Sequence, residues 1–121
     1  MMRSEETVAY KSKRFAIRIV NMCKHLGAKK NEYTLSKQVL RSGTSIGANI
    51  AESQCAISDK EFLSKLYIAL KECSETMYWL DLLHETEYIS DEEFQSIYAD
   101  CDELFRMLQS STKTLREKAN Q

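Results

Sequence analysis

The chain has no proline and only 3 glycines in 121 residues, so the residues that most often punctuate strands, hairpins and irregular loops are nearly missing. Such a composition favours long, uninterrupted helices. No apolar run approaches the length of a bilayer span, and the opening stretch MMRSEETVAYKSKRF carries charges where a signal peptide needs apolar residues. These absences point to a cytoplasmic protein with no membrane contact. Cysteine occurs at Cys23, Cys55, Cys73 and Cys101, without a C-x-x-C pair or a Cys/His cluster of zinc spacing. All four lie near apolar helical stripes, which suits small buried hydrophobes in a reducing compartment better than a disulfide or metal framework.

What is present is a globular composition, 43% hydrophobic and 29% charged. The length allows one core, so residues 1–121 are expected to form one domain. Val8, Phe15, Ile19, Met22 and Leu26 recur at helical spacing and predict a first helix over about 7–26, with Gly27 as its stop. Leu35, Val39, Ile46 and Ile50 predict a second over about 34–56. Its Gly43 and Gly47 each cost on the order of 1 kcal/mol of helix propensity relative to alanine, so a neighbouring helix is expected to approach closely there.

Ser58 with Glu61, and Ser90 with Glu93, have the S-x-x-E spacing of a capping box, in which each side chain bonds the other residue's backbone N–H. They open two further stripes, Phe62 to Leu80 and Phe94 to Leu115, predicting helices over about 59–85 and 91–117. Helices of similar length joined by short links pack as sequential antiparallel neighbours. The expected fold is therefore all-α, a single up-down-up-down antiparallel four-helix bundle.

Catalytic constellations are missing. Asp81 and His84 present a carboxylate and an imidazole one helical turn apart, as in carboxylate-bridged di-metal bundles. The only other histidine, His25, has no carboxylate three residues before it, so the set is incomplete and the two side chains are better read as solvated polar groups near a helix end. None of the serines sits in a G-x-S-x-G turn, and the run from Gly43 to Gly47 lacks the lysine and the strand of a phosphate-binding loop. No enzymatic activity, cofactor, metal or small-molecule substrate is expected.

The net charge of −1 hides a division: residues 1–60 carry 11 Lys/Arg and 5 Asp/Glu, whereas residues 61–121 carry 6 and 13. Lys11, Arg14 and Arg18 line one side of the first helix, and Lys24, Lys29, Lys30, Lys37 and Arg41 extend the positive character into the second. Two readings stand. These cations contact the phosphates of RNA or a ribonucleoprotein, or they pair with the acidic helices within or between chains, or are simply solvated. On the second helix Arg41, Ser45, Asn49 and Glu52 repeat at about one turn beside the apolar face. That polar row would fix register if buried between subunits and would be an ordinary solvated face if exposed, with the small residues beside it favouring an interface.

The segment Gln38-Val-Leu-Arg-Ser-Gly-Thr-Ser-Ile-Gly-Ala-Asn-Ile-Ala-Glu52, followed by Lys60-Glu-Phe62, the run from Ile68 to Glu75 and the late Tyr88-Ile89-Ser90, resembles the four-helix-bundle proteins encoded within intervening sequences of bacterial 23S rRNA genes. Tyr33, Leu35 and Gln38 belong to the same resemblance, which covers nearly the whole chain. That family is similar in fold to the accessory protein of diversity-generating retroelements, a pentameric barrel that binds nucleic acid and a reverse transcriptase. The resemblance implies a homo-oligomer, a pentamer, with Gly43, Ser45, Gly47, Asn49 and Glu52 near packing surfaces. Two departures are visible: Ser53 stands where many members have glycine, and the charge is balanced where the accessory protein is strongly basic. The function expected is that of a non-enzymatic scaffold or adaptor, with RNA or a ribonucleoprotein as candidate partner. The alternative is a protein-interaction or structural module with no nucleic-acid role.

Overall fold

A computed structural model describes residues 7–120, and the expected domain of 1–121 extends beyond them at residues 1–6 and 121. Four helices follow one another: α1 (Val8–Lys30), α2 (Thr34–Ser53), α3 (Asp59–Glu85) and α4 (Asp91–Ala119), with no strand among the described residues. Each helix packs against its sequence neighbours and α1 closes the ring on α4 with the lightest contact, while diagonal pairs do not meet. This is the antiparallel bundle that the stripes imply. Its core is made of Phe15, Ile19 and Leu26 from α1, Val39, Ile46 and Ile50 from α2, Leu66, Leu80 and Leu83 from α3, and Ile97, Leu104 and Leu108 from α4.

The helix starts follow capping chemistry. Ser90 accepts from the Glu93 N–H while Glu93 accepts from the Ser90 N–H, a complete capping box. At α3 only half of the box forms. Ser58 accepts from the Glu61 N–H at 3.1 Å, but the Glu61 carboxylate takes the N–H of Ile57 rather than that of Ser58. α2 has no side-chain bond from its N-cap residue, Tyr33. Instead the buried Glu32 carboxylate accepts from the N–H groups of Thr34, Leu35 and Ser36 and from the Ser36 hydroxyl. Burial pushes the Glu32 carboxyl up, but these hydrogen bonds outweigh it and hold the group below its ordinary 4.5.

Two helix ends differ from expectation. Gly27 does not stop α1, which continues to Lys30 and ends at Asn31 in the left-handed region, φ 53°. The N–H groups of Asn31 and Glu32 both reach back to the Leu26 carbonyl, the latter at 3.0 Å, and close the helix end. The reason for a small residue at position 27 is Tyr33: its ring would lie 2.8 Å from a Cβ there, and its hydroxyl donates to the Gly27 carbonyl. α2 ends at Ser53, short of the expected 56, as Gln54, Cys55 and Ala56 bond three residues back and tighten the last turn. Cys55 is consequently exposed, contrary to the expectation of four buried thiols. Cys73 and Cys101 are fully buried at the α3–α4 contact and Cys23 is half-buried, its thiol pushed up to about 11 by burial and by Glu32.

Candidate nucleic-acid and assembly surfaces

The eight cations singled out in the first half separate once the helices are placed. Lys11 bonds Glu103 of α4 at 3.0 Å. Arg18 bonds Asp100 at 2.6 Å and also donates to the Ser96 carbonyl and hydroxyl. Arg41 bridges Glu72 and Glu75 of α3, and the hydrogen bonds that Glu75 accepts from the Trp79 indole N–H and from Arg41 lower its carboxyl. These three cations tie the basic helices to the acidic ones within one chain. Among the described residues Arg14, Lys24, Lys29, Lys30 and Lys37 make no ion pair, and all five are exposed. Four of them, Lys24, Lys29, Lys30 and Lys37, lie on the last turns of α1 and the first turn of α2, on either side of the connection that carries the 59% exposed Tyr33, and Lys30 also lines a pocket with Glu87, Asp91 and Glu93. Arg14 lies toward the other end of α1, beside Tyr10 and Ile17.

The two glycines of α2 face α1 of the same chain. A Cβ at Gly43 would lie 2.9 Å from Cγ1 of the fully buried Ile19, and one at Gly47 would lie 3.3 Å from the Ser12 hydroxyl. The close approach expected at these positions is therefore intramolecular. The polar row beside them is satisfied in the same way. Ser45 donates to the Arg41 carbonyl at 2.6 Å, Asn49 to the Ser45 carbonyl at 2.9 Å, and Glu52 accepts from Lys65 of α3 at 3.1 Å. Ser53 is buried and donates to the Ile50 carbonyl.

Because α1 and α2 approach so closely, the small residues on their outer side form a shallow apolar groove of about 390 Å³. Ala9, Ala16, Ile17 and Val20 line it from α1, and Ala48 and Ala51 from α2. In the sequence Ala16 and Val20 only widen the stripe of α1, and Ala48 and Ala51 only supply small residues to α2, so the groove they form together is not legible there. Its trace in the sequence is the width of the apolar arc on α1, where Ala16 and Val20 extend the stripe of Phe15 and Ile19 round toward Ile17.

The two histidines do not form a metal centre: among the described residues no group of three or more His, Cys, Asp and Glu could hold a metal ion. His84 bonds Asp91 at 2.6 Å and stacks on Phe94, and Asp81 is exposed. Among the described residues no helix is long and apolar enough to cross a membrane.

Comparison with known proteins finds a matching family model and matching solved structures. The family model described as 23S rRNA-intervening sequence protein matches residues 4–110. A solved structure from Bacteroides thetaiotaomicron VPI-5482, a protein with unknown function from the S23 ribosomal protein family, is 52% identical to this chain, covers 88% of it and 99% of its own length, and superposes with a TM-score of 0.87. No curated protein matches it.

Proposed function

We propose, from the premise that the chain belongs to the 23S rRNA-intervening sequence protein family, that it is a cytoplasmic, non-enzymatic scaffold that assembles with copies of itself and contacts RNA or a ribonucleoprotein. The observation that carries the assembly is the uncovered apolar groove between α1 and α2. Contiguous apolar surface on a small domain is costly to leave in water and is commonly covered by a partner. Lys13 and Arg14 flank that face, whereas α3 and α4 hold most of the chain's carboxylates. A second copy offers the complementary sign, and contacts between different faces close into rings. The resemblance to the retroelement accessory protein supports five as the number of copies.

The RNA contact rests on Lys24, Lys29, Lys30 and Lys37, exposed on the two helix ends that the exposed Tyr33 joins, which offers phosphate-binding charge and an aromatic ring on which a base can stack. The ribosomal family of the solved relative is in keeping with an RNA-containing partner. The alternative, a protein-interaction module without RNA, is favoured by the ion pairs of Lys11, Arg18 and Arg41, which bind the basic helices to acidic ones rather than to phosphate.

The assembly is tested by solution mass. The 14.0 kDa protomer is expected to run as a multiple of that mass by light scattering, and Ala48→Glu with Ala51→Glu, which charges the groove without touching the core, is expected to release protomers of unchanged helicity. A parent that is monomeric at all concentrations would overturn the reading.

A further inference from the structure

The acidic half of the chain contains one concave patch of opposite sign. Arg106, Lys113 and Arg116 of α4 stand at i, i+7 and i+10 and converge, with Ser110 of the same helix and Tyr67 and Leu70 of α3, on a groove of about 580 Å³. Among the described residues no carboxylate lines it, although residues 61–121 carry 13 Asp/Glu against 6 Lys/Arg. Three of those six cations therefore meet in one groove within a half whose general field is negative. Arg106 is held by Asp102 at 2.9 Å, but among the described residues Lys113 and Arg116 make no ion pair. The one hydrogen bond of the Arg116 side chain, 3.4 Å to the Tyr67 hydroxyl, leaves most of the guanidinium donors available. Accepting that bond also leaves the Tyr67 hydroxyl proton available to a ligand. One wall is thus a set of converging donors with positive charge, and the other is apolar, formed by Leu70 and the ring of Tyr67.

We infer that this α3–α4 groove binds a nucleotide, its phosphate on Lys113 and Arg116 and its base against Tyr67 and Leu70. A guanidinium and an ammonium on one phosphate give charge-assisted hydrogen bonds, the stronger kind, and the adjoining aromatic and aliphatic wall suits a flat ring that inorganic phosphate lacks. The groove is separate from the cations of the α1–α2 connection and does not depend on their role. The same chemistry arises from a free mononucleotide and from a nucleotide within a strand.

The test titrates the full chain with AMP, with inorganic phosphate and with a short oligoadenylate. AMP is expected to bind more tightly than inorganic phosphate. The double variant Lys113→Ala/Arg116→Ala, exposed on both sites and so expected to keep the parent's melting temperature, is expected to lose about tenfold or more in AMP affinity. Tyr67→Phe, which retains the ring, is expected to lose only a few-fold. Displacement of AMP by the oligoadenylate identifies a strand as the source, and retention of AMP identifies the free nucleotide. Charge removal at Lys24, Lys29, Lys30 and Lys37 is expected to leave AMP binding intact, which separates this groove from the RNA reading. Absence of AMP binding at millimolar concentration, or equal binding by the double variant, would overturn the proposal.

Discussion

Along one edge α1 meets α2 through residues with almost no side chain, Gly43 against Ile19 and Gly47 against Ser12. Along its other edge it meets α4 through long charged side chains, Lys11 to Glu103 and Arg18 to Asp100. The first seam is a matter of steric fit. The second spans a lighter contact and lies at the surface, where ion pairs contribute little to stability. One helix therefore has a seam that admits no added atoms at Gly43 and a seam that tolerates removal of its charges. The close approach on the first side also flattens the outer face of α1 and α2 into an apolar groove.

The contrast can be broken most strongly at Gly43. Valine there drives two methyl groups into a fully buried Ile19 that has no room to move, and is expected to cost on the order of 3 kcal/mol in denaturant unfolding, at the upper end of overpacking effects. Next comes Glu32, which caps α2 and so fixes where the second helix leaves the first. Glu32→Ala leaves three backbone N–H groups without that acceptor and is expected to cost about 2 kcal/mol at neutral pH. Because the folded-state carboxyl is held below 4.5, its contribution is fully present above that value and is lost as pH falls through the lowered one. Parent and variant unfolding curves are expected to converge in acid.

Gly47→Ala sharpens the comparison from the other direction. Its nearest neighbour is a serine hydroxyl at 3.3 Å that can shift slightly, and alanine gains up to about 1 kcal/mol of helix propensity, so the variant is expected to be neutral or slightly stabilised. The smallest effects belong to the α4 seam, where Lys11→Met or Arg18→Met is expected to cost less than about 1 kcal/mol each, and less still at high salt. A loss at Lys11 comparable to that at Gly43 would remove the distinction between the two seams.

Most of the fold was legible because its signals are local. Ser58 and Ser90 mark the starts of α3 and α4, and the apolar spacing from Phe62 to Leu80 identifies a buried face without reference to any partner. What was misread depends on tertiary neighbours. Gly27 looked like a helix stop, yet its lack of a side chain serves the ring of Tyr33, six residues on. Glu32 is an acid in a loop until the chain folds its carboxylate over the start of α2. The basic stripe was legible as a stripe, but its division into tied and untied cations follows from the register of α4 against α1, which sets Glu103 beside Lys11 and offers nothing to Lys24. Arg106, Lys113 and Arg116 had a readable spacing on α4, obscured by the acidic average of the half that contains them.

The division of the cations makes the most direct test. RNA binding to the full chain is compared, across a salt series, between Lys24→Gln/Lys29→Gln/Lys30→Gln/Lys37→Gln and Lys11→Gln/Arg18→Gln/Arg41→Gln. The first variant is expected to lose about tenfold or more in affinity at low salt and to flatten the salt slope by roughly one unit per phosphate contact removed, with the second close to the parent. Equal loss in both, or loss confined to the Lys11, Arg18 and Arg41 variant, would contradict the assignment of the former group to RNA and the latter to the bundle.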